Sequence, residues 1–409
     1  MKRIRDPIYG YITLDDESLK IVDNPFFQRL RYIKQNGLAY LVFPSATHTR
    51  FEHSLGTYHV ASLMVKKVKA KIDEELIKKV ALLHDIGHMP FSHTFEQALE
   101  ILRVMDQHKY LELLDKIVKP IQQSTGLKLL GKFHEYMGIF IVDKCMGLRE
   151  VAEKMKEIYI NKVSSIEESI ISSTLDADRL DFLQRDSYYF GVKYGLIPFD
   201  RLLDVMEINE DGKYEFDIKG RDDLEHFLVA RYHMYSAVYN HPVKQIMDSI
   251  MAYTIARMIS DGVVELEMLT ECDKILNFTD DYIIMKLKEN SSRYKHLYEA
   301  IYLRRKYKKI ILEDQDADSF NSQYMSKKLD ELYEFIIQNE GKLVISSSKT
   351  DMPVDNIVLK IGGNKIDLGL IEPSKYINIP MPRFKVSIGY YEDSVLKEFE
   401  NRFPIKKTE

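Results

Sequence analysis

Apolar residues recur at spacings of three and four through "LGTYHVASLMVKKVKAKI", "EELIKKVALLHDIG", "HEYMGIFIVDKCM" and "IEESIISSTLDADRLDFLQRDSYYFG", the period of helices with one buried face. These stretches predict a helical bundle. Around Ile208 the period shortens: "EINEDGKYEFDIKG" alternates apolar and polar positions about Asp211-Gly212, which predicts a short β-hairpin. A long helical segment, "DDLEHFLVARYHMYSAVYNHPVKQIMDSIMAYTIARMI", follows. After Gly341, "KLVISSS", "NIVLKI" and "RFKVSIGYY" read as strands separated by Pro, Gly and Asn, giving a small mixed α/β C-terminal lobe. The first residues, "MKRIRDPIYGYITLDDE", are charged and broken by Pro7 and Gly10. The expected fold is therefore mainly α, with an N-terminal segment over 1–49, a helical core over 50–265 and a helical and mixed lobe over 266–409.

Composition narrows the function. With 45% hydrophobic and 30% charged residues, the chain has the balance of a folded globular protein. A formal net charge of -5 argues against a general nucleic-acid binder. No run approaches the ~20 apolar residues of a membrane span. Two cysteines, Cys145 and Cys272, are too few for a disulfide framework and form no CxxC, so a reducing compartment, the cytoplasm, is expected. The basic run "RRKYKK", Arg304 to Lys309, reads either as a solvated helix face or as a phosphate- or subunit-facing patch.

Chemistry concentrates in "VALLHDIGHMPFSHTFE", Val80 to Glu96. Eight of the twelve histidines precede residue 135. His84 and Asp85 are adjacent, and neighbours within a helix point about 100° apart, so both reach one ion only where the helix ends; Gly87 and Pro90 supply that ending. Imidazole and carboxylate are the usual ligands of a catalytic divalent ion that keeps open positions. His53 in "TRFEHSLG" and Asp178 in "TLDADRLDFLQRD" are the candidates to complete the set, which suits Mn, Mg, Fe, Zn or Ni without choosing among them. His93 and Glu96, three apart on a helix started by Ser92, read as a proton donor and the carboxylate that orients it. His88, like them, is left outside the ligand set so that the ion keeps open positions, and His134 in "FHEYMG" reads either as an extension of the relay or as a helix-surface histidine.

Together these residues resemble the HD-domain phosphohydrolases, whose His, adjacent His and Asp, and later Asp correspond to His53, His84, Asp85 and Asp178. "DPIYGYI", "FFQRLRYIKQ", "FPSATHTRFEHSLG", "HDIGHMPFSHTFE", "DADRLDFLQRD" and "YHMYSAVYNH" are similar to segments of the deoxynucleoside triphosphate triphosphohydrolases within that family. The resemblance runs from about Arg5 to Ile250. It implies an HD-domain helical bundle and a metal-assisted attack of water on the α-phosphorus of a dNTP, releasing deoxynucleoside and inorganic triphosphate. It further implies that His93 protonates the leaving 5′ oxygen, with Glu96 and His134 behind it and His88 near the phosphates. Arg50, Arg179 and Arg231 fall at phosphate-contact positions, and Gln35, Asp186, Tyr239 and Asn240 at positions around sugar and base. Phe182 departs from the pattern: vertebrate members have a tyrosine there, so one phosphate hydrogen bond is missing.

By the same resemblance, Asp23, Gln28 and Arg31 in "DNPFFQRLR", with Lys2, match a regulatory site for a guanine nucleotide, GTP or dGTP. A plainer reading has Asp23 and Arg31 tie the N-terminal segment to the bundle. Val42, Phe43 and His241 match a second regulatory site, but Pro242 and Arg5 replace the lysine and asparagine expected there. Dimers or tetramers follow from the resemblance as well. Two other readings stay open: an HD phosphohydrolase acting on another nucleotide phosphoester, such as a nucleoside monophosphate, a cyclic nucleotide or single-stranded nucleic acid, or a nucleotide sensor without turnover.

Overall fold

In the computed structural model, which describes residues 1–122, 132–161, 165–305, 307–370, 372–378 and 380–405, helices form the centre and three small sheets lie around it. The charged N-terminal segment, for which the sequence suggested no regular structure, is a hairpin. Strand β1 (Lys2–Asp6) pairs antiparallel with β2 (Gly10–Leu14). Asp6 closes the turn, its Oδ1 accepting the N–H groups of Ile8 at 2.8 Å and Tyr9 at 3.0 Å, and Gly10 supplies the left-handed φ of 72°.

The part of the core that carries the histidine-rich segment is built from α1 (Arg50–Met64), α2 (Glu74–Leu83), α3 (His93–Met105), α4 (Phe133–Phe140) and α5 (Ala177–Phe190). Their ends follow from short polar residues. The Glu52 carboxylate takes the Thr49 N–H (3.0 Å) at the start of α1, and Asp73 takes the Leu76 N–H (3.0 Å) at the start of α2. The run "IEESIISSTLDADRLDFLQRDSYYFG", read as continuous, is split into Ile166–Ile171 and α5. Asp176 splits it by accepting from Arg179 N (2.7 Å) and Ser173 N (2.8 Å), an N-cap that starts a new helix. The next long run is likewise divided, into α6 (Arg221–His233), a π-helical turn over Met234–Tyr239 and α7 (Pro242–Ser260). Pro242 stands at the first turn of α7, where its missing N–H costs nothing. Helix α7 is buried along most of its length and packs against α3.

The predicted hairpin about Asp211-Gly212 is present as β3 (Met206–Ile208) and β4 (Tyr214–Asp217). Strand β5 (Lys308–Glu313) comes next, followed by β6 (Leu343–Thr350), β7 (Ile357–Ile361), β8 (Asn364–Asp367) and β9 (Arg383–Tyr390). The hairpin does not stand alone: β4 pairs in parallel with β7, giving a sheet ordered β3-β4-β7-β8, and a third sheet runs β5-β9-β6. Lys308 and Lys309 of the basic run thus lie in a strand rather than on a helix face, with Lys308 Nζ 2.6 Å from Asp393; Lys306 lies outside the described residues. The cysteine reading needs a correction too. Cys145, beyond α4, and Cys272 are bonded to each other across 127 residues, their Cα atoms 5.5 Å apart, a pairing that two isolated cysteines in a sequence do not announce. Among the described residues no helix is long and apolar enough to cross a membrane.

Candidate metal and acid site

Helix α2 ends at Leu83, so His84 is its C-terminal cap and Asp85 the first residue of the following turn. That ending, rather than a helical face, lets both side chains meet His53 of α1. His53 Nε2 lies 3.2 Å from His84 Nε2, 3.0 Å from Asp178 Oδ1 and 3.5 Å from Asp85 Oδ2. Each histidine has its other nitrogen committed elsewhere: His53 Nδ1 to Asp181 Oδ2 at 2.8 Å, and His84 Nδ1 to the carbonyl of Ala81 at 2.8 Å. Those bonds fix both rings with Nε2 facing the same point. Burial opposes a charge on His53, but Asp178 and Asp181 outweigh it and raise its imidazole to about 10. Burial likewise disfavours the Asp85 carboxylate, yet Arg50 and His84 hold its pKa well below the usual carboxylate range. Converging imidazoles and carboxylates that attract positive charge fit a divalent ion, and His53, His84 and Asp85 have donor atoms close enough to share one, with Asp178 adjoining.

The turn after Asp85 re-aims the chain. Gly87 is needed for close approach rather than for ending α2: a Cβ there would lie 2.1 Å from the carbonyl oxygen of His134 and 2.2 Å from Gly138 N. Pressing α4 onto this turn stacks His134 on His88, with ring centroids 3.9 Å apart. His88 Nε2 is 3.3 Å from Asp85 Oδ1, while burial, Arg50 and His134 push its pKa well down, so it stays neutral. Phe91 and Ser92 both take left-handed φ values, 62° and 58°, and the buried Asp280 anchors them through Phe91 N (2.7 Å). Ser92 precedes α3 as expected, but its hydroxyl does not cap the helix. It donates to Lys34 O and accepts from Arg50 Nε, both at 2.8 Å. His93 then opens α3 with Nδ1 at 3.0 Å from Glu96 Oε2, and Glu96 Oε1 is 2.7 Å from His134 Nδ1. Although burial works against it, His134 and His93 keep the Glu96 pKa well below the usual range, a carboxylate bridging two imidazoles.

A cavity of about 260 Å³ opens beside His93. Gln35, Arg50, Phe182, Asp186 and Tyr239 line it, as do Lys244 and Asp248, which sequence reasoning did not single out. Asp186 is held by His48 Nε2 (2.6 Å), Asn36 Nδ2 (2.9 Å) and the Tyr239 hydroxyl (2.6 Å). Arg50 also bonds Asp85 and the Gln35 carbonyl. Three residues expected here are placed otherwise. Asn240 turns away to donate to Thr350 Oγ1 (2.9 Å). Arg179 pairs with Asp176, and Arg231 lies beside Tyr235 with Nε and Nη1 buried and unpartnered among the described residues.

Lys2, Asp23, Gln28 and Arg31 line a separate cavity of about 400 Å³ against the N-terminal hairpin. Arg31 donates to Gln28 Oε1 (2.8 Å) and stacks on Phe51 at 3.5 Å. Phe43 and His241 meet edge to face at 5.7 Å, but neither they nor Val42 line either cavity.

Sequence reasoning missed the supports. Asp181 and Arg185 follow Asp178 at three- and four-residue steps on one face of α5, a spacing visible in "DADRLDFLQRD". Arg29 fastens the His84–Ser92 turn by donating to the carbonyls of Ile86 (3.4 Å) and His88 (2.8 Å); no local pattern marks it.

Residues 50–181 match the HD domain family and residues 197–340 the HD associated region. An uncharacterized protein of Methanocaldococcus jannaschii is 38% identical over 310 residues, 74% of this chain and 60% of that protein. The deoxynucleoside triphosphate triphosphohydrolase SAMHD1 of Mus musculus is 30% identical over 300 residues, 65% of this chain and 45% of that protein. The chain thus spans 60% or less of the length of these curated relatives. The crystal structure of a hypothetical protein from Aquifex aeolicus shares the fold with a TM-score of 0.72 at 28% identity, covering 97% of this chain and 98% of that one.

Proposed function

We propose that this chain, which belongs to the HD-domain phosphohydrolases, hydrolyses dNTPs at the α-phosphorus to deoxynucleoside and inorganic triphosphate. The observation that carries the reading is the adjacency of two groups, the His53, His84, Asp85 and Asp178 donor set and the His93–Glu96–His134 relay: His88 lies 3.3 Å from Asp85 and stacks on His134, and Arg50, which bonds Asp85, lines the same cavity as His93. A divalent ion, of Mn, Mg, Fe, Zn or Ni type, supplies phosphoryl polarisation and an activated water when bound. His53, His84, Asp85 and Asp178 would hold it. With Nδ1 tied to Glu96, His93 has Nε2 left to give a proton to the leaving 5′ oxygen, while Glu96 stabilises the charged ring and His134 orients Glu96. His88, kept neutral, serves the phosphates as a hydrogen-bond partner. Arg50, Arg179 and Arg231 offset phosphate charge, the last two after turning from their present positions. Gln35, Asp186 and Tyr239 would hold sugar and base, joined by Asn240 after it leaves Thr350.

The N-terminal cavity would take a guanine nucleotide as activator, with Asp23, Gln28 and Arg31 on the base and Lys2 on the phosphates; Val42, Phe43 and His241 would serve a second nucleotide where subunits of a dimer or tetramer meet. Nucleotide substrates assign the activity to the cytoplasm, where the Cys145–Cys272 bond would face a reducing thiol pool. Phe182 in the cavity wall and the Arg179–Asp176 pair favour a second reading, hydrolysis of a nucleotide with fewer phosphates.

Anion-exchange resolution of products decides between them. Protein supplied with Mn²⁺ and each dNTP, with and without GTP, is expected to yield deoxynucleoside and triphosphate. Pyrophosphate as product, or turnover of monophosphates alone, refutes the lead reading.

A further inference from the structure

The N-terminal cavity and the metal cluster are joined by an unbroken line of buried charge. Asp6, whose Oδ1 closes the β1–β2 turn, lines the cavity and is itself buried. Its Oδ2 accepts from Arg185 Nη1 at 2.8 Å. Arg185, with no surface exposed, uses its remaining edge to grip Asp181, Nε to Oδ2 at 2.8 Å and Nη2 to Oδ1 at 2.9 Å. Asp181 Oδ2 in turn holds His53 Nδ1 at 2.8 Å. Space around this line is tight: a Cβ at Gly56 would lie 1.9 Å from Asp181 Oδ1 and 2.4 Å from Arg185 Nη2.

We infer that Asp6 and Arg185 are positioning residues for the metal ligand His53, and that through them occupancy of the N-terminal cavity acts on the metal cluster. The inference rests on the proposed reading of both sites. A guanidinium buried between two carboxylates cannot let one move without releasing or dragging the other, because an unpaired charge in this interior is costly. A ligand gripped by Lys2, Arg5 and Arg31 presses on the hairpin that Asp6 closes, so its binding energy reaches His53 through three residue pairs joined by four charged hydrogen bonds. Coupling of this kind is reciprocal: a nucleotide that changes metal affinity must have its own affinity changed by the metal equally.

Isothermal titration of Mn²⁺ into the full chain, with and without saturating GTP, tests it. In the unaltered chain GTP is expected to change the Mn²⁺ dissociation constant by about five-fold or more. Asp6→Asn and Arg185→Lys, checked for folding by circular dichroism, are expected to bind both ligands but to reduce that ratio to below about two-fold. Arg185→Lys keeps the charge and loses the fork, so it separates positioning from mere charge. If either folded variant keeps the full ratio, the inference is wrong. If the unaltered chain binds both ligands with no mutual effect, the coupling falls and the nucleotide reading stands; if it does not bind GTP, the nucleotide reading and the coupling fall together.

Discussion

The two halves of Val80–Glu96 serve one cleft but are held by opposite means. Asp85 and its partner His53 are fixed by fully buried charges, Arg50 on one side and Asp181 with Arg185 on the other. His93 has a side chain 62% exposed, and among the described residues its ring is held by one hydrogen bond, to Glu96, with edge-on contacts to His88 and His134. A ligand set must keep its geometry whether or not an ion is bound, so it is over-determined by its surroundings. A proton donor must reach solvent to be recharged, so it is tethered once and left open. The same contrast separates what substitutions should do in each half.

Asp85→Ala should have the largest effect, abolishing metal uptake and turnover together, as equilibrium dialysis and a product assay would register. His93→Ala should break the other half alone, lowering kcat by about 10²–10⁴-fold while Mn²⁺ binding persists; full rate in this variant would remove His93 from the acid role. Arg185→Met probes the over-determined half, and leaving Asp181 and Asp6 buried without their cation should cost about 3–5 kcal/mol in urea unfolding. Acid should act on the same half. Burial works against the Asp181 carboxylate, but Arg185 and His53 hold it down to about 2, below the ordinary value of 3.8. A depressed carboxylate stabilises the fold above pH 3.8 and loses that contribution as pH falls to about 2, a loss of about 2 kcal/mol. Asp181→Asn should flatten unfolding free energy against pH in that window. Phe182→Tyr should act least, restoring one hydrogen bond worth about 1 kcal/mol and tightening KM for a triphosphate without moving kcat.

Much of the site was legible because its chemistry is local. His84–Asp85 and His93–Glu96 are defined by short spacings and a helix end, and His84 lies 3.2 Å from His53 and His93 3.0 Å from Glu96, as their spacing suggested. What stayed hidden depends on distant contact. Asp6 and Arg185 are far apart in the chain, as are Arg29 and the carbonyls it holds, and a single sequence carries no signal for such pairs. In the fold, the helical runs and the hairpin at Asp211-Gly212 followed their periodicity, apart from the breaks at Asp176 and before Pro242. The β1–β2 hairpin did not, because only Ile12 and Leu14 of β2 are buried and the alternation is too short to read. Likewise β5 begins at Lys308 and Lys309, the end of a basic run that the sequence offered as a solvated helix face or a phosphate- or subunit-facing patch, not as a strand.

The parallel pairing of β4 with β7, Tyr214 beside Ile357 through Asp217 beside Lys360, has a consequence for assembly of the molecule. During synthesis, β3 and β4 emerge long before their neighbour, and until β7 arrives one side of β4 has its backbone donors and acceptors unmatched. A fragment ending at residue 265 would carry that bare edge permanently, inviting strand exchange with another copy and precipitation. Soluble expression therefore demands the C-terminal residues for a reason separate from Asp280 and its hold on the turn before His93.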